Sequence, residues 1–333
     1  MTTPKLGLAT FTLRRLDASL PEMIRAADDA GFDGIELVHR IHETFDAEAV
    51  DRAFETTGLE RVGVHVWLHE LEADLDGLVA QYGAVGVETF VIPYHPESNF
   101  RTTARLRTLV ERLNAVGEAL DARGCHLLYH PNHWDMVPLF DGSVLGRVPS
   151  LRLTDRLPFD WGPVRHLRRV EDELLRRRNR LFDTAFIALG ATEDNTVETL
   201  LERTPFGVLV REVSPTVAFE VDLTFFHQQG YDPAAVLDLL GDRVKRVHAK
   251  DLVRDGYTPG GWPAFVNAGD GEVDFERAVA AADRNDVEWV LFENGHAVDP
   301  LECIRRGHDY LRRYLPAERS PPSPSEAPVR ALD

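Results

Sequence analysis

The chain has 333 residues, 44% hydrophobic, 9% aromatic and 28% charged, which is ample for one large core of roughly 250 residues plus decoration, or for two ordinary domains. Its 37 basic and 55 acidic residues leave a formal net charge of −18, a balance that repels phosphate backbones and anionic membrane surfaces and argues against nucleic-acid or membrane partners. With only Cys125 and Cys303, neither a disulfide framework nor a cysteine-rich metal site is available.

No apolar run reaches the roughly 18 residues of a membrane helix, and the opening residues lack a basic stretch followed by an apolar one. The expectation is a cytoplasmic chain. Lys5, Lys245 and Lys250 are the only lysines, a bias that fits either a salt-adapted acidic surface or GC-rich coding.

Short β-type runs alternate with amphipathic stretches along most of the length. In chain order, strands are expected at Leu6–Thr10, Gly34–Val38, Gly63–Trp67, Thr89–Pro93, His126–His130, Val217–Asp222, Val244–His248 and Trp289–Glu293. Helical patterns fall between them, at Leu20–Ala30, Leu71–Tyr82, Thr102–Arg123, Pro233–Leu240 and Phe275–Asn285. Eight strands, each followed by a helix, is the count of an α/β fold of the (β/α)8 TIM-barrel type. A doubly wound sheet would carry a glycine-rich turn after its first strand, where Ala9-Thr10-Phe11-Thr12-Leu13-Arg14-Arg15 stands instead.

His130 and Asp222 are 92 residues apart, while one βα unit needs only about 30 or more. An Arg-rich insertion is therefore expected after the fifth strand, at about 139–190, with a helix near 164–186. It reads either as a solvated helix paired with acidic surface or as a lid over the barrel mouth. The last stretch, 317–333, is rich in proline and serine and reads as a flexible tail. The expected organisation is one barrel domain over 1–316.

In a barrel of this kind chemistry collects at the carboxyl ends of the strands. Polar residues there include Glu36, His39, His65, Tyr94, His95, His130, His133, Asp222, His248, Lys250 and Glu293. A single histidine at a strand end is usually a hydrogen-bonded core or surface residue; several converging with carboxylates on one mouth suggest a site. Asp222 ends an apolar strand and reads as a helix cap or a ligand. His248 ends another strand, with Lys250 and Asp251 directly after it. Glu293 follows an aliphatic-aromatic run, where a carboxylate is costly to bury without a cation or a donor.

Asp222, His248 and Glu293 on neighbouring strands can meet above the barrel. Such a mix of oxygen and imidazole suits a divalent ion, Mn²⁺, Zn²⁺, Co²⁺ or Mg²⁺, which would stabilise an enediolate as a proton leaves the adjacent carbon. The fourth ligand is expected from the fifth strand, with His130 preferred and His133 and Asp135 as alternatives.

Five motifs occur in series: Tyr129-His130-Pro131-Asn132-His133, Phe219-Glu220-Val221-Asp222 with Gly230-Tyr231-Asp232-Pro233, His248-Ala249-Lys250-Asp251, Gly269-Asp270-Gly271-Glu272-Val273-Asp274, and the terminal Glu293. In this order the chain resembles the sugar phosphate isomerase/epimerase superfamily of xylose-isomerase-like TIM barrels, from about residue 6 to 315. The resemblance implies that Asp222, His248 and Glu293 bind the metal and that Glu293 is also an acid/base. The family's second acid/base, a glutamate ending strand five, is replaced by His130. That departure leaves room for one-face isomerisation or β-elimination, because a His–Glu pair differs in pKa and reach from two opposed carboxylates.

Further substrate-binding candidates are Glu36, His65, His133, Asp135, Lys250 and Arg254. Glu36 reads equally as a partner of Arg40, and Lys250 as a partner of Asp251. Trp67 and Trp134 read as sugar-stacking or packing residues, and His296 as a neighbour of Glu293 or a loop residue. The expected activity is metal-dependent isomerisation, epimerisation or a related lyase reaction on a small carbohydrate, with a homo-oligomer compatible. The alternatives are a phosphodiesterase like the apurinic endonucleases, which would need a basic track that this acidic chain carries only in its Arg-rich insertion, and a barrel used only for binding.

Overall fold

The computed structural model describes residues 3–38, 45–95, 97–100, 102–137, 139, 195–257 and 263–315, without the side chains of 97–98, 254–257 and 263. The expected insertion (apart from Leu139), the tail, His39, Arg40 and the side chain of Arg254 lie outside the described residues.

Eight parallel strands close into a barrel. They are β1 (Lys5–Ala9), β2 (Gly34–Leu37), β3 (Glu60–His65), β4 (Thr89–Ile92), β5 (His126–Tyr129), β6 (Val217–Asp222), β7 (Val244–Ala249) and, after a hairpin, β10 (Trp289–Phe292). Around the barrel the order is β1, β10, β7, β6, β5, β4, β3, β2, so the eight expected strands are the eight staves and the doubly wound sheet is excluded. β3 ends at His65, earlier than expected. Trp67 instead opens the next helix, where its backbone N–H donates to Glu70 Oε2 at 3.0 Å.

Helices cover the outside: α1 (Leu20–Asp29), α2 (Ala47–Thr56), α3 (Leu68–Gly83), α4 (Thr103–Asp121), α5 (Val197–Arg203), α6 (Pro205–Glu212), α7 (Leu223–Gln228), α8 (Pro233–Leu240), α9 (Phe275–Arg284) and α10 (Pro300–Leu311). Their starts are written in the sequence. In α1 the Ser19 amide and hydroxyl meet Glu22, with proline in the first turn, the arrangement that satisfies otherwise orphaned N–H groups. Asp46, Asp232, Asp274 and Asp299 cap α2, α8, α9 and α10 through their carboxylates. α2 was not expected, although Asp46 and the apolar Val50, Ala53 and Phe54 mark it.

Also unforeseen is an antiparallel hairpin of β8 (Asp251–Tyr257) and β9 (Pro263–Val266), placed between β7 and α9. Asp251 pins it to the loop that follows. Its Oδ2 accepts from the amides of Gly269 and Gly271 at 2.9 and 3.0 Å, and its Oδ1 from Val273 at 3.2 Å. This explains the last residue of the His248–Asp251 motif as an anchor for the glycine-rich segment.

The apolar faces of strands and helices form one large core that includes Leu6, Leu8, Phe90, Phe206, Phe219 and Phe292. Inside the barrel the alternation of strand side chains brings in charge. Glu36, His65, Glu220, Arg246 and His248 are all buried. Arg246 reaches across to donate to the carbonyl of Val62. Gly63 makes this possible, because a Cβ there would collide with the Arg246 guanidinium. Among the described residues no helix is long and apolar enough to cross a membrane.

Candidate functional site

Two charged layers are stacked at the carboxyl end of the barrel, and His248 belongs to both. In the lower layer its Nε2 lies 2.9 Å from Glu36 Oε2 and 3.1 Å from Glu220 Oε1. His65 Nε2 lies 3.0 and 3.1 Å from the same two oxygens. The imidazoles lie parallel, centroids 5.7 Å apart and planes within 6°. Arg246 Nη1 adds a contact to Glu36 Oε1 at 3.3 Å.

Burial alone would lower the pKa of His65, but Glu36 and Glu220 outweigh it and raise the value to about 9. His248 is raised well above the usual histidine range in the same way, burial being overcome chiefly by Glu220. Glu220 is held well below the carboxylate range because His248 and His65 outweigh its own burial. The lower layer is thus a lattice of imidazolium and carboxylate groups, each compensating the desolvation of the next.

The upper layer sits at the mouth. Asp222 ends β6 and does two things at once. Its Oδ1 accepts from the amide of Thr224 at 2.9 Å, capping α7, and its Oδ2 lies 2.8 Å from Lys250 Nζ. Lys250 Nζ also lies 2.7 Å from Glu293 Oε1, and Glu293 Oε2 lies 2.9 Å from His248 Nδ1. Lys250 therefore pairs with Asp222 and Glu293 rather than with its neighbour Asp251. Burial would lower its pKa, but the two carboxylates raise it, while Glu293 is lowered as Lys250 and His248 outweigh its burial.

His130 completes the mouth, its Nε2 3.8 Å from Asp222 Oδ2 and its ring 4.9 Å from that of His248. Burial first, then the charge on His248, lower its pKa to about 4, so it is neutral at pH 7.

The other expected residues divide. Asp135 is turned away from the mouth. Its Oδ1 accepts from Tyr129 OH at 2.7 Å and its Oδ2 from the Asn132 amide at 2.8 Å, which takes up both oxygens that a metal would need. Burial raises its pKa to about 7 despite these bonds. His133 packs against Trp134 and Phe225 at centroid distances of 4.1 and 5.7 Å.

Glu36 and His65 lie in the lower layer, where Glu36 and the Nε2 of His65 meet protein partners while His65 Nδ1 is buried without one among the described residues. Trp134 is buried, whereas Trp67 is 40% exposed beside Tyr94. The His296 ring stacks on Phe265 at 5.0 Å. Glu220 and Arg246 were not singled out from the sequence. Each stands two residues before a predicted ligand on the same strand, and alternation puts both members of each pair on the barrel interior.

The mouth suits a divalent ion. His130, Asp222 and His248 each offer a ligand atom within 4.8 Å of the others. Asp222 Oδ2 and the Nδ1 atoms of His130 and His248 are buried without an aligned hydrogen bond among the described residues. Their imidazole and carboxylate donors are those that Mn²⁺, Zn²⁺, Co²⁺ and Mg²⁺ accept. Glu36, His65, Glu220 and His248 also offer four atoms within the same reach. That set is already compensated internally and by Arg246, whereas the mouth opens on the face where barrel enzymes work.

No protein-family model matches the sequence, and no curated protein matches it. Solved structures do match, across nearly the whole chain. A sugar phosphate isomerase/epimerase from Parabacteroides distasonis has a TM-score of 0.62 at 14% identity, covering 95% of this chain and 96% of that one. A probable 3-DHS dehydratase, AsbF, from Bacillus anthracis has a TM-score of 0.61 at 14% identity, with 92% and 98% covered. A family 2 AP endonuclease from Brucella melitensis has a TM-score of 0.58 at 15% identity, with 94% and 100% covered. At these identities the likeness shows the xylose-isomerase-like TIM-barrel fold, a frame shared here by an isomerase/epimerase, a probable dehydratase and an endonuclease.

Proposed function

We propose that the chain is a divalent-metal-dependent isomerase or epimerase, or a related lyase, that moves a proton beside the carbonyl of a small sugar or keto-polyol. The observation that carries this reading is the convergence of Asp222, His248, Glu293 and His130 at the open end of the barrel. A divalent ion held there supplies Lewis acidity toward a substrate oxygen.

The chain's own residues do the rest. Asp222 is fixed by its capping bond to Thr224, and the Nε2 of His248 is fixed by Glu36 and Glu220, which leaves Nδ1 directed at the mouth. Carboxylates behind a ligating imidazole set its tautomer and orientation. Glu293 is kept ionised by Lys250 and His248 and is placed to accept a proton. His130, neutral at pH 7, is the second acceptor. A carboxylate facing a neutral imidazole favours one-face transfer or β-elimination over a symmetric exchange between two carboxylates.

The test is solvent deuterium uptake beside the carbonyl, with metal-loaded protein and a panel of ketoses, inososes and 3-keto-glycosides. Exchange on at least one substrate is expected to fall by on the order of 10²–10⁴-fold in Glu293→Gln. Exchange undiminished in that variant overturns the assignment of Glu293, and no exchange on any member of the panel counts against the class of reaction.

A further inference from the structure

Arg14 stands immediately after the turn Thr10–Leu13 that leaves the carboxyl end of β1. β1 pairs with β10, so Arg14 shares the mouth with Glu293 and the loop that follows it. Its guanidinium lies over the Phe11 ring, 4.0 Å from the centroid, and packs on Gly295, where any Cβ would collide with Nη1 and with Phe11. The seat is therefore built by a glycine two residues beyond Glu293.

The acids of this chain claim most of its well-placed arginines. Arg112 meets Glu72 at 2.7 Å, Arg312 meets Asp33 at 2.8 Å, Arg277 meets Asp232 at 2.7 Å and Arg306 meets Asp270 at 3.1 Å. Arg14 differs. Its Nη1 is buried with no hydrogen-bond partner, and no carboxylate among the described residues pairs with it. A guanidinium N–H left unpaired in the interior is costly, and such groups call for an explanation in function.

Among its neighbours Arg15 adds positive charge, which the more weakly felt Glu293 only partly offsets. Arg15 is held beside it by the carbonyls of His296 and Ala297, each at 3.2 Å. Lys250 is already matched by Asp222 and Glu293, so it is a poor candidate for an incoming anion. Burial, then the charge on Arg15, weakens the hold of Arg14 on its proton, and both effects are relieved by an anion.

We propose that Arg14 is an oxyanion-binding residue of the mouth, and that the substrate carries a carboxylate or a phosphate near the carbon whose proton moves. The planar guanidinium offers paired donors that match either group. It also offsets the repulsion that an anionic substrate meets from Glu293 and from the acidic surface as a whole. This assignment rests on the mouth being the reaction site.

The test uses the full chain stripped of metal, so that it stands apart from the deuterium experiment. Calorimetric titration with inorganic phosphate and, separately, with glycerate reads anion binding directly and distinguishes the two chemistries. Wild type is expected to bind one of them in the millimolar range. Arg14→Met should weaken it by at least about tenfold, with partial recovery in Arg14→Lys. Gly295→Ala, which displaces the guanidinium without removing it, should weaken it as well.

Equal binding by wild type and Arg14→Met, or no binding of either anion by wild type, overturns the assignment of Arg14 and leaves the isomerase reading standing. Loss of anion binding in Arg14→Met alongside a panel that shows no deuterium exchange keeps an anion site and discards the proposed reaction.

Discussion

On the floor of the barrel Glu36 and Glu220 each face two imidazole nitrogens at 2.9–3.1 Å, with Arg246 behind them. At the mouth Asp222 and Glu293 share the single ammonium of Lys250, while His130 stands 3.8 Å from its nearest carboxylate oxygen and makes no tighter pair with it. The residue types are the same, the burial is similar, and both layers leave polar atoms without a hydrogen bond among the described residues: His65 Nδ1 and Glu220 Oε2 on the floor, Asp222 Oδ2 and the Nδ1 atoms of His130 and His248 at the mouth. The difference lies in charge. On the floor two carboxylates face two imidazoles whose pKa values are raised, with Arg246 beside them, whereas at the mouth two carboxylates share one lysine and His130 is neutral at pH 7.

The largest effect expected from breaking this contrast is on the floor. Glu220→Ala leaves two buried imidazoles without one of their carboxylates, and loss of one partner from a buried ion cluster costs about 3–5 kcal/mol. Denaturant unfolding should show a loss of that order. A change under about 1 kcal/mol would mean that the floor is not structural.

At the mouth the corresponding change acts on binding instead. Asp222→Asn, which keeps an oxygen to cap Thr224, should lower Mn²⁺ affinity by on the order of 10²-fold, more than any accompanying loss of stability accounts for. Calorimetry and chemical denaturation on the same sample separate the two. Lys250→Met removes a cation that competes for Asp222 and Glu293, and it should tighten Mn²⁺ binding by about tenfold, since one matched charge pair is broken in favour of the ion. Weaker binding in that variant would mean that Lys250 supports the ion rather than competing with it.

The staves of the barrel are legible in the sequence as apolar runs that end in a polar residue, which puts Asp222, His248 and Glu293 at strand ends. The division into floor and mouth is not, because Glu36 and His65 read there as substrate-binding residues, whereas they pair within the floor. Glu220 and Arg246 were missed although their strands were assigned. The signal was there, since a charged residue two positions before a ligand must share its face. Which atoms of His248 point where could not be read, because that depends on the register between β2, β6 and β7, with a shift near Glu220.

The partner of Lys250 was equally hidden. Asp251 is next to it in sequence but turns to the amides of Gly269, Gly271 and Val273. The β8–β9 hairpin went unread because β8 is interrupted by Arg254, Asp255 and Gly256 and β9 is only four residues long and opens on a proline.

A pH-dependent effect lies beside the mouth, at Asp135, whose carboxyl is raised to about 7 by burial. A carboxyl with a raised folded-state pKa contributes stability that is full below its unfolded value and is lost as pH climbs through the folded one. Wild type should therefore lose on the order of 4 kcal/mol between about pH 4 and pH 7 from this group, and Asp135→Asn should flatten that part of the profile. An unchanged slope in the variant would remove Asp135 as its source.

The most direct measurement is anomalous scattering from crystals of the full chain grown with Mn²⁺. The account predicts a single strong peak within bonding distance of His130, Asp222, His248 and Glu293. A peak centred among Glu36, His65 and Glu220 instead, or no ordered ion at either level, contradicts it.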